Sequence, residues 1–362
     1  MPELDSASRL LLNAIQAGVP LVERPFTALG AQAGLSEDET LARVRKLKDD
    51  GILRQVSAIF DTRSLGYHSS LVACKVAPER VETAAAALNQ HPGISHNYSR
   101  NHVYNLWFTL AVPPASSLEA HIAVLQKESG AAAMRLLPAL RVFKIGVKLD
   151  MAEGESDVHR RDAETRREER VQGSGFRVRK PATGDAETGT PLTERDIRCV
   201  RALQKDMPVQ AEPYAPLASE AGITMAELLA WCEEAMRKGW LRRVAGVLHH
   251  RRAGFSANGM GAWNVAPTRV EEVGRLFAAQ TRVTHCYLRP RYPDWPYNVF
   301  TMVHGRTAAA CDEFLAGLSR ETGIRDYATL YSRKEYKKTR LLYFTGEIEA
   351  WERAHGIERQ GR

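Results

Sequence analysis

The chain carries the same pattern twice, and this limits what it can fold into. Gly51-Ile-Leu-Arg-Gln-Val-Ser-Ala-Ile-Phe-Asp-Thr-Arg-Ser-Leu-Gly-Tyr67 runs parallel to Gly239-Trp-Leu-Arg-Arg-Val-Ala-Gly-Val-Leu-His-His-Arg-Arg-Ala-Gly-Phe255, with six of 17 positions identical at an offset of 188. The same offset pairs Pro20 with Pro208, Pro25 with Pro213, Leu29 with Leu217 and Gly34 with Gly222. Further on, Ser95-His-Asn-Tyr-Ser-Arg100 meets Thr284-His-Cys-Tyr-Leu-Arg289. Tyr104-Asn-Leu-Trp107 then meets Tyr297-Asn-Val-Phe300, after four extra residues in the second copy. The 362 residues are therefore two homologous halves, near 1–150 and 189–362. Each copy has its own apolar periodicity and its own breakers, so each predicts the same units.

The segment 151–188 separates the halves. It holds nine acidic and eight basic residues and little that is apolar. It reads as a solvated linker, with a short charged helix at 160–170. A basic tether for nucleic acid is the weaker reading, because the charges nearly balance. No apolar run nears the roughly 18 residues of a membrane span. The opening Met1-Pro-Glu-Leu-Asp5 is acidic where a signal peptide would be basic. The five cysteines are odd in number and form no C-x-x-C pair, which argues against a disulfide framework and a structural zinc site. A cytoplasmic protein is expected. The net charge of +7 points to an anionic partner, either nucleic acid or a polyanionic small molecule.

Each half reads as two modules. In the first, Ser8 to Ala17 has a helical apolar pattern, and Pro25 to Gly34 gives a short second helix. Ser36 and Glu39 form a capping box for a third helix that runs to about Asp50, where Gly51 ends it. An apolar strand from Ile52 to Phe60 follows. This is the outline of a winged helix-turn-helix, repeated over 192–250 with Thr224 as the cap of the third helix. The period then changes to two. Strands are expected at Ser69–Val76, Ile94–Arg100, Val103–Val112 and Val142–Leu149, with helices at Pro78–Gln90 and Ser116–Glu128. The order β-α-β-β-α-β is the ferredoxin-like split unit. The second copy repeats it over 259–265, 267–280, 282–289, 297–305, 307–322 and about 327–345. The expected fold is α+β, a tandem repeat of a winged helix-turn-helix and a ferredoxin-like βαββαβ domain. The modules span 1–63 and 64–150, then 189–252 and 253–345, with a C-terminal helix or tail over 346–362.

The chemistry gathers around the middle strands. His96, Tyr98, Arg100, His102 and Tyr104 are all even-numbered, so an extended strand would put them on one face unless a turn near Asn101 breaks the parity. The second copy offers His285, Tyr287, Arg289, Arg291, Tyr292, Trp295, Tyr297 and His304. A core face would be Val, Ile and Leu. A face of His, Tyr and Arg suits a flat, anionic, iron-bearing or protonatable ligand.

The junction Gly-Ile-Leu-Arg-Gln-Val-Ser-Ala-Ile-Phe60, between a winged helix and a ferredoxin-like domain, resembles the Lrp/AsnC family. That family implies a DNA-binding regulator whose ferredoxin-like part binds amino acids. The third helices fit this poorly, since residues 35–50 hold five acids against four bases and the second copy has Glu227, Glu233 and Glu234. Tyr98-Ser-Arg-Asn-His-Val-Tyr-Asn-Leu-Trp-Phe108 and Tyr287-Leu-Arg-Pro-Arg-Tyr-Pro-Asp-Trp-Pro-Tyr-Asn-Val-Phe300, with His304-Gly-Arg306, go further. They resemble the sirohaem decarboxylases, Lrp/AsnC-like proteins that occur as two related subunits or as a fusion. The resemblance covers both halves except the linker. It implies removal of two acetate carboxyls from sirohaem to give didecarboxysirohaem, on the way to haem or d-type haem.

The residues match that chemistry. Carboxylates around a tetrapyrrole call for cations, and Arg100, Arg289, Arg291, Arg306, Lys334, Lys337 and Lys338 are candidates. Tyr98, Trp107, Tyr287, Trp295 and Tyr297 can wall an apolar disc. His285 and His96 occupy matching positions and are the candidate acids, with the site around His285 favoured. His102 and His304 are further candidates for contact with the substrate. No separate cofactor is required, since iron enters with the substrate, and no metal site is expected in the protein itself. Expected partners are sirohaem or haem, not a membrane and not DNA. The halves are expected to pair as a pseudo-dimer within one chain, with further oligomers open. Tyr104-Asn105 and Tyr297-Asn298 could serve the site or merely pack strands, and Trp107 and Phe300 read as core. Cys286 should point to the other face and be inert. His121, His159 and His355 read as surface residues, and His249-His250-Arg251-Arg252 as a solvated turn. The contrasting function is a transcription regulator that senses haem or an amino acid.

Overall fold

The computed structural model describes residues 4–145, 192–248, 257–305 and 307–359. The charged linker, His159, the His249–Arg252 turn and Arg306 lie outside those residues. The first copy runs α1 (Ser6–Ala17), α2 (Pro25–Gln32), α3 (Glu37–Asp49), β1 (Leu53–Phe60), β2 (His68–Lys75), α4 (Val81–Asn89), β3 (Ile94–Arg100), β4 (Leu106–Val112), α5 (Leu118–Ser129), β5 (Ala133–Leu137) and β6 (Arg141–Ile145). The second runs α6 (Glu194–Leu203), α7 (Tyr214–Ala221), α8 (Met225–Lys238), β7 (Leu241–Leu248), β8 (Ala257–Trp263), α9 (Val270–Ala279), β9 (Val283–Leu288), β10 (Val299–Gly305), α10 (Ala308–Thr322) and β11 (Tyr327–Lys338), followed by α11 (Glu347–Ala354). These elements fall into two compact units that cut across the repeat: 1–59 with 148–249, and 60–147 with 250–362.

The first unit holds both winged helices. Ser36 and Glu39 form the expected capping box, and Thr224 with Glu227 forms its counterpart. Each satisfies donors that a helix start leaves open. Gly51 and Gly239 both turn the chain through positive φ after the third helix. Leu11, Leu12, Ile15, Phe26, Val44 and Leu47 bury the first copy's apolar stripe. Among the described residues the strands after the helices do not form separate hairpin wings. β1 and β7 pair with each other in a two-stranded sheet. Asp206 fastens the copies together, accepting from Val56 N at 2.9 Å and pairing with Lys48 at 2.7 Å.

The second unit holds both ferredoxin-like halves in one nine-stranded order, β5-β2-β4-β3-β11-β8-β10-β9-β6. The fourth strand of the first copy is β5, not the expected Val142–Leu149. β6 belongs to the other copy's edge, where Val142 and Ile145 stand opposite Tyr287 and His285. β11 does both tasks in one run: Tyr327–Tyr331 pairs with β8, and Ser332–Lys338 pairs with β3. In the first copy the corresponding strand is broken at Pro138, which has no N–H to give to a ladder. The exchange creates two seams, β4-β3-β11 and β10-β9-β6.

One face of this sheet lies under helices α4, α5, α9 and α10 and carries Val72, Cys74, Phe108 and Leu110 in one half, and Val283, Cys286, Val299 and Val303 in the other. The opposite face bears a shared core of Ala73, Tyr104, Trp107, Leu137, Met260, Trp295, Phe300 and Leu330, drawn from both copies.

Candidate active site

β3 and β9 carry the candidate histidines on the face turned away from the helices. His96 stands opposite Thr109, and Tyr98 opposite Trp107. His285 stands opposite Met302, and Tyr287 opposite Phe300. Direct partners on antiparallel strands share a face, so both His–Tyr pairs look into the unit. The two pairs have nearly the same geometry, with ring centroids 6.2 Å apart for His96 and Tyr98 and 6.0 Å for His285 and Tyr287. They lie on different seams, with β11, β8 and β10 between their strands, so the two candidate positions are separate.

A bulge precedes each histidine. The register slips at Ser95 on β3 and at Thr284 on β9. A bulge re-aims the side chains around it. Here it lays the hydroxyl of the extra residue against the histidine, with Ser95 Oγ 3.0 Å from His96 Nδ1 and Thr284 Oγ1 3.0 Å from His285 Nδ1. Nδ1 is thereby occupied in both copies. Burial pushes the His285 imidazole below its ordinary value, and nearby His304 adds to the effect.

Arg100 ends β3, and Arg289, its counterpart in the repeat, directly follows β9. Arg100 donates to the carbonyl of Leu330 at 3.2 Å, and Arg289 donates to the carbonyl of Leu137. Each guanidinium thus reaches into the other copy. Each is buried far enough to draw its pKa down to about 10, still charged at neutral pH. Neither Nε has a partner among the described residues. A buried cation with an open donor is costly unless something anionic completes it.

The seams differ in character. Beside His96 and Tyr98, β11 places Lys338 and Glu335. Beside His285 and Tyr287, β6 places Ile145 and Val142. The first seam is charged and the second apolar.

Other candidates go elsewhere. Lys337 points toward the helices, donating to the carbonyls of Asn89 at 2.9 Å and His91 at 3.2 Å, because it stands opposite Asn97, one step out of alternation from Lys338 opposite His96. Lys334 pairs with Glu82 on α4. Trp295 is fully buried and packs on Tyr104, Trp107, Tyr297 and Phe300, so it is core and not an open wall. Tyr297 is half-buried against it. His102 lies past the end of β3, edge-on to Trp295 at 5.2 Å, so the turn after Arg100 does break the parity. Arg291 is exposed and donates to Val265 O. His304 sits behind His285, bonded to Thr284 and Asn258. Cys286 is buried on the helix face, and burial pushes its thiol up to about 12.

Asn105 and Asn298 are strand clamps. Asn105 accepts from Val76 N at 3.1 Å and donates to its carbonyl at 2.8 Å. Asn298 does the same to Val265 at 2.9 and 3.0 Å. His121 is fully buried and His355 pairs with Glu128 at 2.9 Å, so neither is a free surface residue. Sequence reasoning passed over Ser95, Thr284 and Asn258. The signal was available for the first two, since a hydroxyl precedes the histidine in both copies.

Comparison with known proteins agrees with this architecture. The AsnC-like ligand binding domain matches residues 64–144 and 252–337. The "Siroheme decarboxylase NirDL-like HTH domain" matches 8–54 and 196–242. The chain is 38% identical over 342 residues to a siroheme decarboxylase of Hydrogenobacter thermophilus, covering 94% of this chain and 96% of that one. It is 41% identical over 148 residues to the siroheme decarboxylase beta subunit of Methanosarcina barkeri, covering 41% of this chain and 97% of the subunit. A crystal structure of the siroheme decarboxylase NirDL in co-complex with an iron-uroporphyrin III analogue superposes with a TM-score of 0.74 at 32% identity, covering 98% of this chain and all of that one. With both related halves in a single polypeptide, the chain belongs to the sirohaem decarboxylase family.

Proposed function

We propose that this protein removes two acetate carboxyl groups from sirohaem to give didecarboxysirohaem, as a carboxy-lyase. The observation that carries the reading is the pair of buried guanidiniums, Arg100 and Arg289, each with an open donor beside a His–Tyr face. They suit the peripheral carboxylates of a tetrapyrrole, and the faces suit its disc. Iron arrives within the substrate, and the scheme calls for no separate cofactor.

Each step exchanges a carboxylate for a proton: the acetate loses CO2 and the carbon left behind takes one H+. A neutral imidazole with its Nδ1 fixed can cycle a proton on Nε2. We assign that role to His285. The apolar strip beside it, Ile145 and Val142, disfavours a carboxylate and so favours its loss. On the strip beside His96, the cation Lys338 suits holding a carboxylate that remains.

The winged helices favour a second reading, a regulator that binds DNA. Against it, the basic residues of α3 are engaged within their own unit: Arg43 with Asp5, Lys46 with Asp50 and Lys48 with Asp206. Among the described residues no helix is long and apolar enough to cross a membrane.

The test is anaerobic incubation with sirohaem followed by mass spectrometry of the tetrapyrrole. Successive losses of about 44 Da, one CO2 each, are expected, with His285→Ala abolishing them. Tight binding at unchanged mass by the folded protein would sink the enzyme reading. DNA binding modulated by tetrapyrrole at a stated salt concentration would then establish the regulator.

A further inference from the structure

The hydroxyl of Thr284 has one hydrogen and three neighbours that could share it. His304 Nε2 lies 3.0 Å away, the carbonyl oxygen of Met302 3.3 Å away and His285 Nδ1 3.0 Å away. Which of them receives the hydrogen decides where a neutral His285 keeps its own.

Asn258 Oδ1, 2.6 Å from His304 Nδ1, settles the first bond. A carboxamide oxygen only accepts, so His304 holds its hydrogen on Nδ1 and, when neutral, offers a lone pair at Nε2. Thr284 donates to that lone pair, or to the Met302 carbonyl. Either way its hydrogen is engaged, and its oxygen accepts from His285 Nδ1–H. The lone pair of neutral His285 then lies on Nε2, which has no hydrogen-bond partner among the described residues.

The first copy lacks this arrangement. Ser95 Oγ lies 3.0 Å from His96 Nδ1, but the opposed pair at the places of Asn258 and His304 is Ser69 and Ala111. The Ser95 hydroxyl has no second acceptor among the described residues, so it can donate to Nδ1 as well as accept from it.

We propose that Thr284, steered by His304 and Asn258, is a positioning residue that locks His285 in its Nδ1–H tautomer. Its use in turnover rests on His285 being the acid. A neutral ring locked in this way has no hydrogen on Nε2, so the donor is the imidazolium. Its Nε2 proton goes to the carbon that CO2 leaves, and the electron pair of the broken C–C bond forms the new C–H bond. His285 is left neutral as the tautomer that the lock holds. A hydronium ion from solvent restores the Nε2–H once product has left. The bond from Nδ1–H to Thr284 is the same before and after transfer, so the ring has no need to turn.

The experiment compares proteins with 15N-labelled histidine rings, without tetrapyrrole, by long-range 1H–15N correlation at pH 7.5, where burial keeps His285 neutral. The His285 signals are those lost in His285→Gln. The parent should show the Nδ1–H pattern. Thr284→Val keeps the shape and removes the oxygen. It should move His285 to the Nε2–H form and slow CO2 loss from sirohaem at least about tenfold. Thr284→Ser should keep the parent's pattern and a rate within about threefold of it. His304→Leu should populate both tautomers, because only the more distant Met302 carbonyl then draws the hydroxyl hydrogen. An Nε2–H pattern in the parent overturns the lock, whatever the variants do. An unchanged pattern in Thr284→Val also overturns it. A shifted pattern with the parent's rate removes Thr284 from turnover. The spectrum needs no substrate, so if the parent leaves sirohaem at unchanged mass, the decarboxylase reading fails while the tautomer is still decided.

Discussion

The guanidinium of Arg100, at the end of β3 in the first copy, donates to the carbonyl of Leu330 on β11 of the second at 3.2 Å. Arg289 returns the contact by donating to Leu137 on β5. The two bonds are related by the repeat, since Leu137 and Leu330 hold matching places opposite Leu71 and Met260. Each candidate site therefore takes its cation from one copy and the anchor of that cation from the other.

Arg289→Lys should weaken tetrapyrrole binding by roughly 10- to 100-fold, since a hydrogen bond to a charged group contributes about 1.5–3 kcal/mol and lysine cannot reproduce the fork. Titration of the absorbance band measures this. Affinity equal to the parent's would remove Arg289 from the site.

Asn298→Ala should cost about 1–3 kcal/mol of stability by leaving the buried amide of Val265 unpaired, while its carbonyl keeps Arg291. Urea unfolding reads the loss. At a temperature where the variant is folded, turnover should match the parent, which separates a clamp from a catalytic residue.

Acid should loosen the ferredoxin-like unit. Gly93 N–H donates to His91 Nδ1, His91 Nε2 lies 2.8 Å from His121 Nδ1, and His121 Nε2 lies 2.9 Å from Glu352. That order holds both imidazoles neutral. Burial draws His91 down to about 2, with the charges of His121, Lys337 and His355 adding to it, and burial also lowers His121 against the pull of Glu352. The unfolded chain binds protons near pH 6.5 and the folded one does not, so stability present above that pH declines as pH falls below it. The slope should approach roughly 1–2 kcal/mol per pH unit for each histidine. Thermal unfolding at pH 7.5 and 5.5 checks it, and a flat profile would mean the histidines titrate alike in both states.

Gly274→Ala should disturb the exchanged strand. A Cβ at Gly274 on α9 would stand 2.4 Å from Cζ of Phe143 on β6. Overpacking of this kind costs about 1–3 kcal/mol. The loss should shrink when Phe143→Leu is added, so a double-mutant cycle in urea should be non-additive. Additive losses would place Phe143 elsewhere.

Much of this was legible in the chain. The repeat gave two similar halves, the capping residues Ser36 and Thr224 gave the third helices their starts, and alternation placed His96, Tyr98 and Arg100 on one face with Cys286 on the other. These signals are local: a cap lies three residues from its partner, and a strand alternates at every step. His121 was misread for the opposite reason. Its partners, His91 and Glu352, lie 30 and 231 positions away, and nothing near it in the chain says that it is buried.

The sequence by itself determined that there are two copies, which elements each contains and which side chains share a strand face. Tertiary structure alone decided where those elements pair. Any strand edge offers the same N–H and C=O groups, so local pattern does not say whether β6 closes its own sheet or its neighbour's, nor that β1 meets β7. The bulges at Ser95 and Thr284 exist only once a partner strand fixes the register. His304, two residues past Met302 and twenty from Thr284, joins His285 through that register, while Ala111 at the matching place in the first copy joins nothing comparable. A repeat makes two similar frames, and the contacts between distant strands make the two sites different.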